Sequence, residues 1–243
     1  MQVIQVAQFG GPEVLVPVEV PDPVAGRGQA VIGVAAADVL FLDAMIRYGL
    51  ATDFFPLRPP YVPGSGVAGT VISVGPDTDA SWTGRRVVAQ TGANGGYAQQ
   101  AVVAAGDLIP VPEGLGLPEA AALLHDGATA LGLVFDNVGG PVGLAAFGAI
   151  AAGGRFSAHG APAGGFVDID PQEAKRLGVT VRGIEQVQFA PADLARLAGK
   201  ALSGAAEGLI RPIIGQTFPL EQAADAHRAI EARDVIGKTL LVT

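Results

Sequence analysis

Over the first hundred residues the apolar positions fall in short runs, many alternating with polar ones and bounded by Gly and Pro. Val3 to Ala7, Val14 to Val20 and Ala30 to Ala37 each predict a strand, separated by FGGPE and by the turn PDPVAGRG. From Asp38 to Leu50 the spacing changes. Leu42, Met45 and Ile46 recur at helical intervals, which predicts a helical turn between β segments. The stretch Pro63 to Gly75, PGSGVAGTVISVG, predicts a Gly-rich turn running into a buried strand. Gly64, Gly66 and Gly69 accept backbone angles that a Cβ forbids, and Thr70, Val71, Ile72 and Val74 suit a pleated surface. Gly64 to Gly69 also satisfies G-x-G-x-x-G. That pattern holds a dinucleotide only between a strand and a helix, whereas here PLRPPYVPG precedes it and a strand follows.

GRRVVAQ and GGYAQQAVVAAGDLIPVP continue the extended pattern, and the β unit closes near Pro112. From Leu117 the period switches. LPEAAALLHDGATALGL reads as a helix with Pro118 in its first turn, VFDNVGG as a buried strand, GLAAFGAIAAGG as a helix, RFSAHGAP and GVTVRGIEQ as strands, and PADLARLAGKALSG as a helix. Alternation of helix and strand from Leu117 to Gly204 predicts an open parallel α/β layer of about three strands. IRPIIGQTFPL, the helix EQAADAHRAIEARDV and a closing strand GKTLLVT complete the chain. The predicted fold class is α/β: a β-rich domain formed by residues 1–116 and 208–243, with an α/β domain of residues 117–207 between them.

Composition narrows the function classes. A net charge of −8 with only 15 Lys and Arg among 243 residues gives no basic patch for nucleic acid. The absence of Cys removes disulfides, thiolate nucleophiles and Cys-based zinc sites. No stretch of ~18 residues is apolar without Gly, Pro or charge, and the first residues lack a basic segment before an apolar run, so a cytoplasmic protein with no membrane partner is expected.

FGGPEVL (Phe9 to Leu15) with PDP (Pro21 to Pro23), the Pro63 to Gly75 run, GRRVVA (Gly84 to Ala89), GGYAQQ and the terminal GKTLL together resemble the medium-chain dehydrogenase/reductase superfamily, and within it the zinc-independent quinone oxidoreductase branch with zeta-crystallin-like enzymes. The resemblance covers nearly the whole chain. It implies a GroES-like substrate domain made of both chain ends, a Rossmann-like cofactor domain between them, NADPH as cofactor and reduction of a quinone or enone. The positions resembling the zinc ligands of other superfamily members are Leu40, Ser65 and Gly66, so no zinc is expected. One departure is large. Gly132-Leu133 runs directly into Val134-Phe135-Asp136, which resembles a later strand of the family, and a βαβ unit takes about 30 residues. The α/β domain is therefore expected to be a truncated Rossmann-like layer, without the half that supplies the glycine loop and reads the adenosine ribose.

Several residues remain as site candidates, each with a structural alternative. Asp38 stands where the family usually has a small residue, and is either an acid or base in the cleft or a helix cap. His125 and Asp126 fall in a stretch that in the family lines the nicotinamide end and is usually apolar. They suit acid–base work or a satisfied boundary. Tyr48, Tyr61 and Tyr97 are possible donors to a substrate carbonyl, with Tyr48 the catalytic candidate among them. Thr129 resembles the Thr beside the nicotinamide, or is a helix hydroxyl bonded to the preceding turn. Gly139 and Gly140, before Pro141, form a possible anion nest or a plain helix start. Asp43 and Arg47 are expected to pair at i, i+4, His227 to be solvated, His159 to be a weaker acid–base candidate, and Asp168 and Asp170 to cap the helix PQEAKRL. Three functions stay open: an NADPH-dependent reductase, a cofactor-free isomerase or cyclase acting on a small apolar molecule in the old cleft, and a non-catalytic binding protein. An exposed sheet edge, with GVTVRGIEQ as the pairing strand, predicts a homodimer.

Overall fold

The computed structural model describes residues 1–50, 52, 55–92, 94–132, 135–136, 139–150, 153–158, 165–183, 190–233 and 236–243, with the backbone alone at 128–132, 135–136 and 191. Two compact units emerge, one of Met1–Ala128 and Ala195–Thr243, the other of Thr129–Leu194.

In the first unit, β1 (Gln2–Val6) and β2 (Leu15–Glu19) form an antiparallel pair. The long strand β3 (Gln29–Val39) is the axis of the main sheet. It bonds antiparallel to β4 (Gly66–Val74), to β6 (Gln100–Ala104) and to β12 (Lys238–Val242). Outward from these lie β5 (Arg86–Gln90) and β7 (Ile109–Pro110) beyond β4, and β11 (Ile214–Pro219), parallel to β12. The β-branched and small residues of β3 explain this position, because Val31 and Ile32, on opposite faces, are both fully buried. Each such side chain contributes about 1.5–3 kcal/mol on burial. Helices α1 (Phe41–Arg47), α2 (Leu117–Gly132), α5 (Pro191–Ala206) and α6 (Ala223–Ala232) complete the mainly helical elements, α2 and α5 each running across a unit boundary in the chain. Ile4, Val6, Ile32, Val67, Tyr97 and Leu241 belong to one core.

The second unit is the parallel layer. β8 (Phe135–Asp136), β9 (Arg155–Ala158) and β10 (Thr180–Gly183) pair in the order β10-β9-β8, all parallel, which is the three-stranded layer expected from the alternation. Between them run α3 (Gly140–Gly148) and α4 (Pro171–Leu177). Phe147 of α3 meets Phe156 of β9 edge-on, with ring centroids 5.5 Å apart, at the centre of a core that includes Val167, Ala174 and Val179. Asp170 caps α4 through Oδ1, which accepts the Gln172 N–H at 2.8 Å.

Two local expectations are corrected. Asp38 belongs to β3, and the helix begins only at Phe41, because the β3–β12 ladder continues through Asp38 and Val39. Gly66 and Gly69 lie inside β4 and not in a turn, since β4 pairs with β5 from Gly66 onward. Gly64 does turn, with φ +92°, and a Cβ there would stand 2.4 Å from the Tyr97 ring. Residues 184–186 of the GVTVRGIEQ strand and His159 lie outside the described residues.

Candidate functional site

Strand register assembles the site. Asp38 is opposite Leu240, Ala37 opposite Val67, and Gly66 opposite Gln90. Directly opposed residues point to the same face and side chains repeat every second residue, so Asp38, Gly66 and Gln90 make one row across the sheet, with Lys238 on the same face two residues from Leu240. The missing side chain of Gly66 leaves the gap that His125 of α2 fills. A Cβ there would lie 2.7 Å from His125 Cε1, 2.8 Å from Asp38 Oδ1 and 2.9 Å from Leu124 Cδ2.

The ring is held from both sides. His125 Nδ1 is 2.8 Å from Asp38 Oδ2, and Nε2 is 3.0 Å from the Gln90 side-chain nitrogen. Ionised Asp38 only accepts, so the neutral ring carries its proton on Nδ1 and takes the Gln90 N–H on Nε2; a doubly protonated ring is served by the same amide turned over. Lys238 Nζ stands 3.4 Å from Asp38 Oδ2 and 3.2 Å from Asp126 Oδ2. Asp38 is 0% exposed, Lys238 8%, His125 18% and Asp126 62%, so the cluster is three largely buried groups with one solvated carboxylate at its rim. Burial opposes the charge on all three buried groups, and the pairing overcomes it. Asp38 stays below its ordinary carboxylate range because of His125 and Lys238, while Asp38 lifts both His125 and Lys238 above theirs. Asp38 Oδ1 is buried without a hydrogen-bond partner.

A second polar chain lies deeper. Arg47, 0% exposed, donates from Nε to His227 Nδ1 at 3.3 Å; His227 Nε2 is 3.1 Å from the Tyr97 hydroxyl, which is 3.1 Å from Asp43 Oδ2. Arg47 can only donate, so His227 carries its proton on Nε2, passes it to the Tyr97 oxygen, and Tyr97 donates to Asp43. The direction of every bond is thereby set. Asp43 Oδ2 also accepts the Leu40 N–H at 2.8 Å. Burial pushes the Asp43 carboxyl up to about 6, and burial followed by the Arg47 charge pushes His227 down to about 3. Arg47 also pairs with Glu231, whose other oxygen takes the Tyr48 hydroxyl at 3.1 Å.

The structure thus brings Asp38, His125 and Asp126 together, the last through Lys238. Tyr48 is elsewhere, on the Arg47–Glu231 pair. The expected Asp43–Arg47 pair is replaced by Asp43–Tyr97 and Arg47–Glu231, because each side chain finds a buried partner from distant sequence. His227 is not solvated but 1% exposed. Its burial was legible, since Ala223, Ala226, His227 and Ile230 recur at i, i+3, i+4 and i+7 on the apolar face of α6. Lys238 and Gln90 escaped notice because both end strands that read as plain β segments. A lone cation opening an apolar run was the available signal.

The model for zinc-binding dehydrogenases matches residues 119–241, half of the chain, and that for the alcohol dehydrogenase GroES-like domain matches residues 26–113. The quinone oxidoreductase of Sus scrofa is 26% identical over 325 residues, covering 100% of this chain and 98% of that protein. Among solved structures, the Escherichia coli quinone oxidoreductase complexed with NADPH aligns at TM-score 0.84 with 20% identity, covering 100% of both chains. A native mycobacterial quinone oxidoreductase aligns at 0.79 with 23% identity, also over 100% of both. The chain belongs to the medium-chain dehydrogenase/reductase superfamily, in its quinone oxidoreductase branch. At the family level that is an oxidoreductase lineage.

Despite the matched family's description, the positions resembling zinc ligands do not fit a zinc ion. Leu40 and Gly66 have no donor atom, Ser65 has only a neutral hydroxyl, and no group of three or more metal-binding side chains occurs among the described residues. For the dinucleotide, Gly139 (φ +71°) precedes α3 and Gly140 (φ +52°) is its first residue, and the Gly140 N–H donates to Gly165 O at 3.0 Å. The side chain of Thr129 lies outside the described residues. No helix among the described residues is long and apolar enough to cross a membrane.

Proposed function

We propose that this chain acts on a small apolar carbonyl compound of the quinone or enone class at the Asp38–His125 pair, and that it moves a proton there without gripping a dinucleotide in the manner of its family. The observation that carries this reading is the held imidazole: His125 is fixed by Asp38 on one nitrogen, and its other nitrogen is closed only by a neutral amide. When a substrate displaces Gln90, Nε2 takes a proton from the carbon beside the carbonyl, Asp38 balances the imidazolium, and the same proton returns to the far end of the extended system. The double bond shifts into conjugation, and no oxidant or reductant is consumed. His125 suits this work because Asp38 raises its proton affinity.

Two observations support the loss of the dinucleotide grip. The Gly140 amide, one of the two that would face a phosphate, is spent on Gly165. The alignment with the porcine enzyme runs over 325 positions against the 243 residues of this chain, which supports a chain shortened relative to that enzyme. The match across 98% of that enzyme favours a second reading, NADPH-dependent reduction of the same substrate class.

Calorimetric titration with NADPH, beside an absorbance assay for conversion of a β,γ-unsaturated cyclohexenone to its conjugated isomer, separates the readings. Absence of binding at millimolar NADPH, with turnover lost in His125→Gln and Asp38→Asn, is the expected result. Micromolar NADPH binding establishes the reductase instead, turnover that survives both substitutions removes the chemistry from the Asp38–His125 pair, and no turnover in the wild type leaves a non-catalytic binding protein. The edge position of β10 supports pairing with a second copy, and sedimentation equilibrium tests that homodimer.

A further inference from the structure

We infer that Lys238 is a positioning residue for the His125 chemistry: its ammonium, shared between buried Asp38 and solvated Asp126, sets how firmly His125 holds its second proton. The inference rests on the proposed proton transfer at His125, but its test reads the ring itself and not turnover.

The geometry is a competition for one oxygen. Asp38 Oδ2 takes His125 Nδ1 at 2.8 Å and Lys238 Nζ at 3.4 Å, while Oδ1 has no hydrogen-bond partner. Asp126 Oδ2 draws the ammonium the other way at 3.2 Å. With His125 neutral, the cluster holds two carboxylates and one cation. Taking up a proton makes it neutral overall, but places imidazolium and ammonium against the same oxygen. A lysine with Asp38 as its sole partner would claim that oxygen and expel the second proton. With no lysine, the imidazolium would have Asp38 to itself and would release its proton slowly. Sharing with Asp126 puts the ring between these extremes, where a group that must both take and return a proton works best.

The charged and titratable groups that act on His125 are Asp38 on β3, Lys238 on β12, its neighbour Asp126 on α2, and, farther off, Asp43 on α1. Gln90 on β5 is the neutral contact. Of the two charges to be altered, Lys238 weakens the proton on His125 and Asp126 strengthens it. Substituting them should therefore move the ring in opposite directions, an outcome that loss of packing alone does not produce.

The test is a proton NMR titration of the His Cε1–H signals in the intact protein. The chain has three histidines, so His125 is assigned by the resonance missing from His125→Gln. In Lys238→Met the His125 midpoint should rise by about one pH unit or more, as expected for removing a cation that shares a buried carboxylate. In Asp126→Asn it should fall, by a smaller amount because Asp126 is solvated. Lys238→Arg keeps the cation and should restore the wild-type midpoint. Asp126→Asn also keeps the test decisive if Lys238→Met does not fold, because that side chain lies at the surface. Equal midpoints in the wild type and these variants, or shifts of the same sign in Lys238→Met and Asp126→Asn, overturn the inference. If the isomerase assay shows no turnover while the opposed shifts are present, the proposed reaction fails and the role of Lys238 stands.

Discussion

His227→Gln probes the deeper polar chain with little change of shape. Glutamine can place an N–H toward the Tyr97 oxygen and an amide oxygen toward the Arg47 Nε–H, reproducing the two bonds that the neutral imidazole makes. It cannot titrate. His227 is held down to about 3 by burial and by Arg47, against an ordinary value of 6.5. Between those values the unfolded chain binds a proton that the native state refuses, so the native state loses stability as pH falls. From about pH 8 to about pH 5 the loss from this one group is about 2 kcal/mol. Asp43, raised to about 6 from 3.8, works oppositely, because its native form binds the proton first. Over the same interval it returns about 1 kcal/mol, so the wild type alone shows only a shallow net slope. Urea unfolding of both proteins at the two pH values isolates the histidine. Relative to wild type, His227→Gln should be more stable at about pH 5 than at about pH 8, the difference changing by about 2 kcal/mol. A difference that does not change with pH refutes a neutral, buried His227 and with it the directed chain from Arg47 to Asp43.

Three further outcomes follow from named contacts. Gly66→Ala forces a methyl group within 2.7–2.9 Å of His125, Asp38 and Leu124, and should cost about 1–3 kcal/mol in urea unfolding while moving the His125 midpoint toward that of a solvated ring. Arg47→Met removes the partner of Glu231 and the donor to His227, and should cost about 3–5 kcal/mol by the same measurement. Phe156→Ala should cost about 3–5 kcal/mol and appear first as faster amide exchange in β9 and β10, because Phe156 is central to the core that backs those strands.

Sequence alone determined the local elements, because period and punctuation are local properties. The β-branched runs bounded by Gly and Pro became β1 to β6 within a few residues, and the switch of period at Leu117 became α2 and the three-stranded parallel layer. It also singled out Asp38, His125 and Asp126 as polar residues in places the family keeps small or apolar. What it left open was whether these side chains meet. Asp38 and His125 are 87 positions apart, and Arg47 and His227 180. Lys238 reaches the same carboxylate from the far end of the chain. Only the register of β3 against β4 and β12 puts them on one face, and only the empty position at Gly66 lets the α2 ring descend to the sheet. An i, i+4 spacing suggested that Asp43 and Arg47 pair. The tertiary structure decided otherwise, because a buried charge settles on the partner that best offsets its lost hydration, and those partners came from elements the spacing could not see.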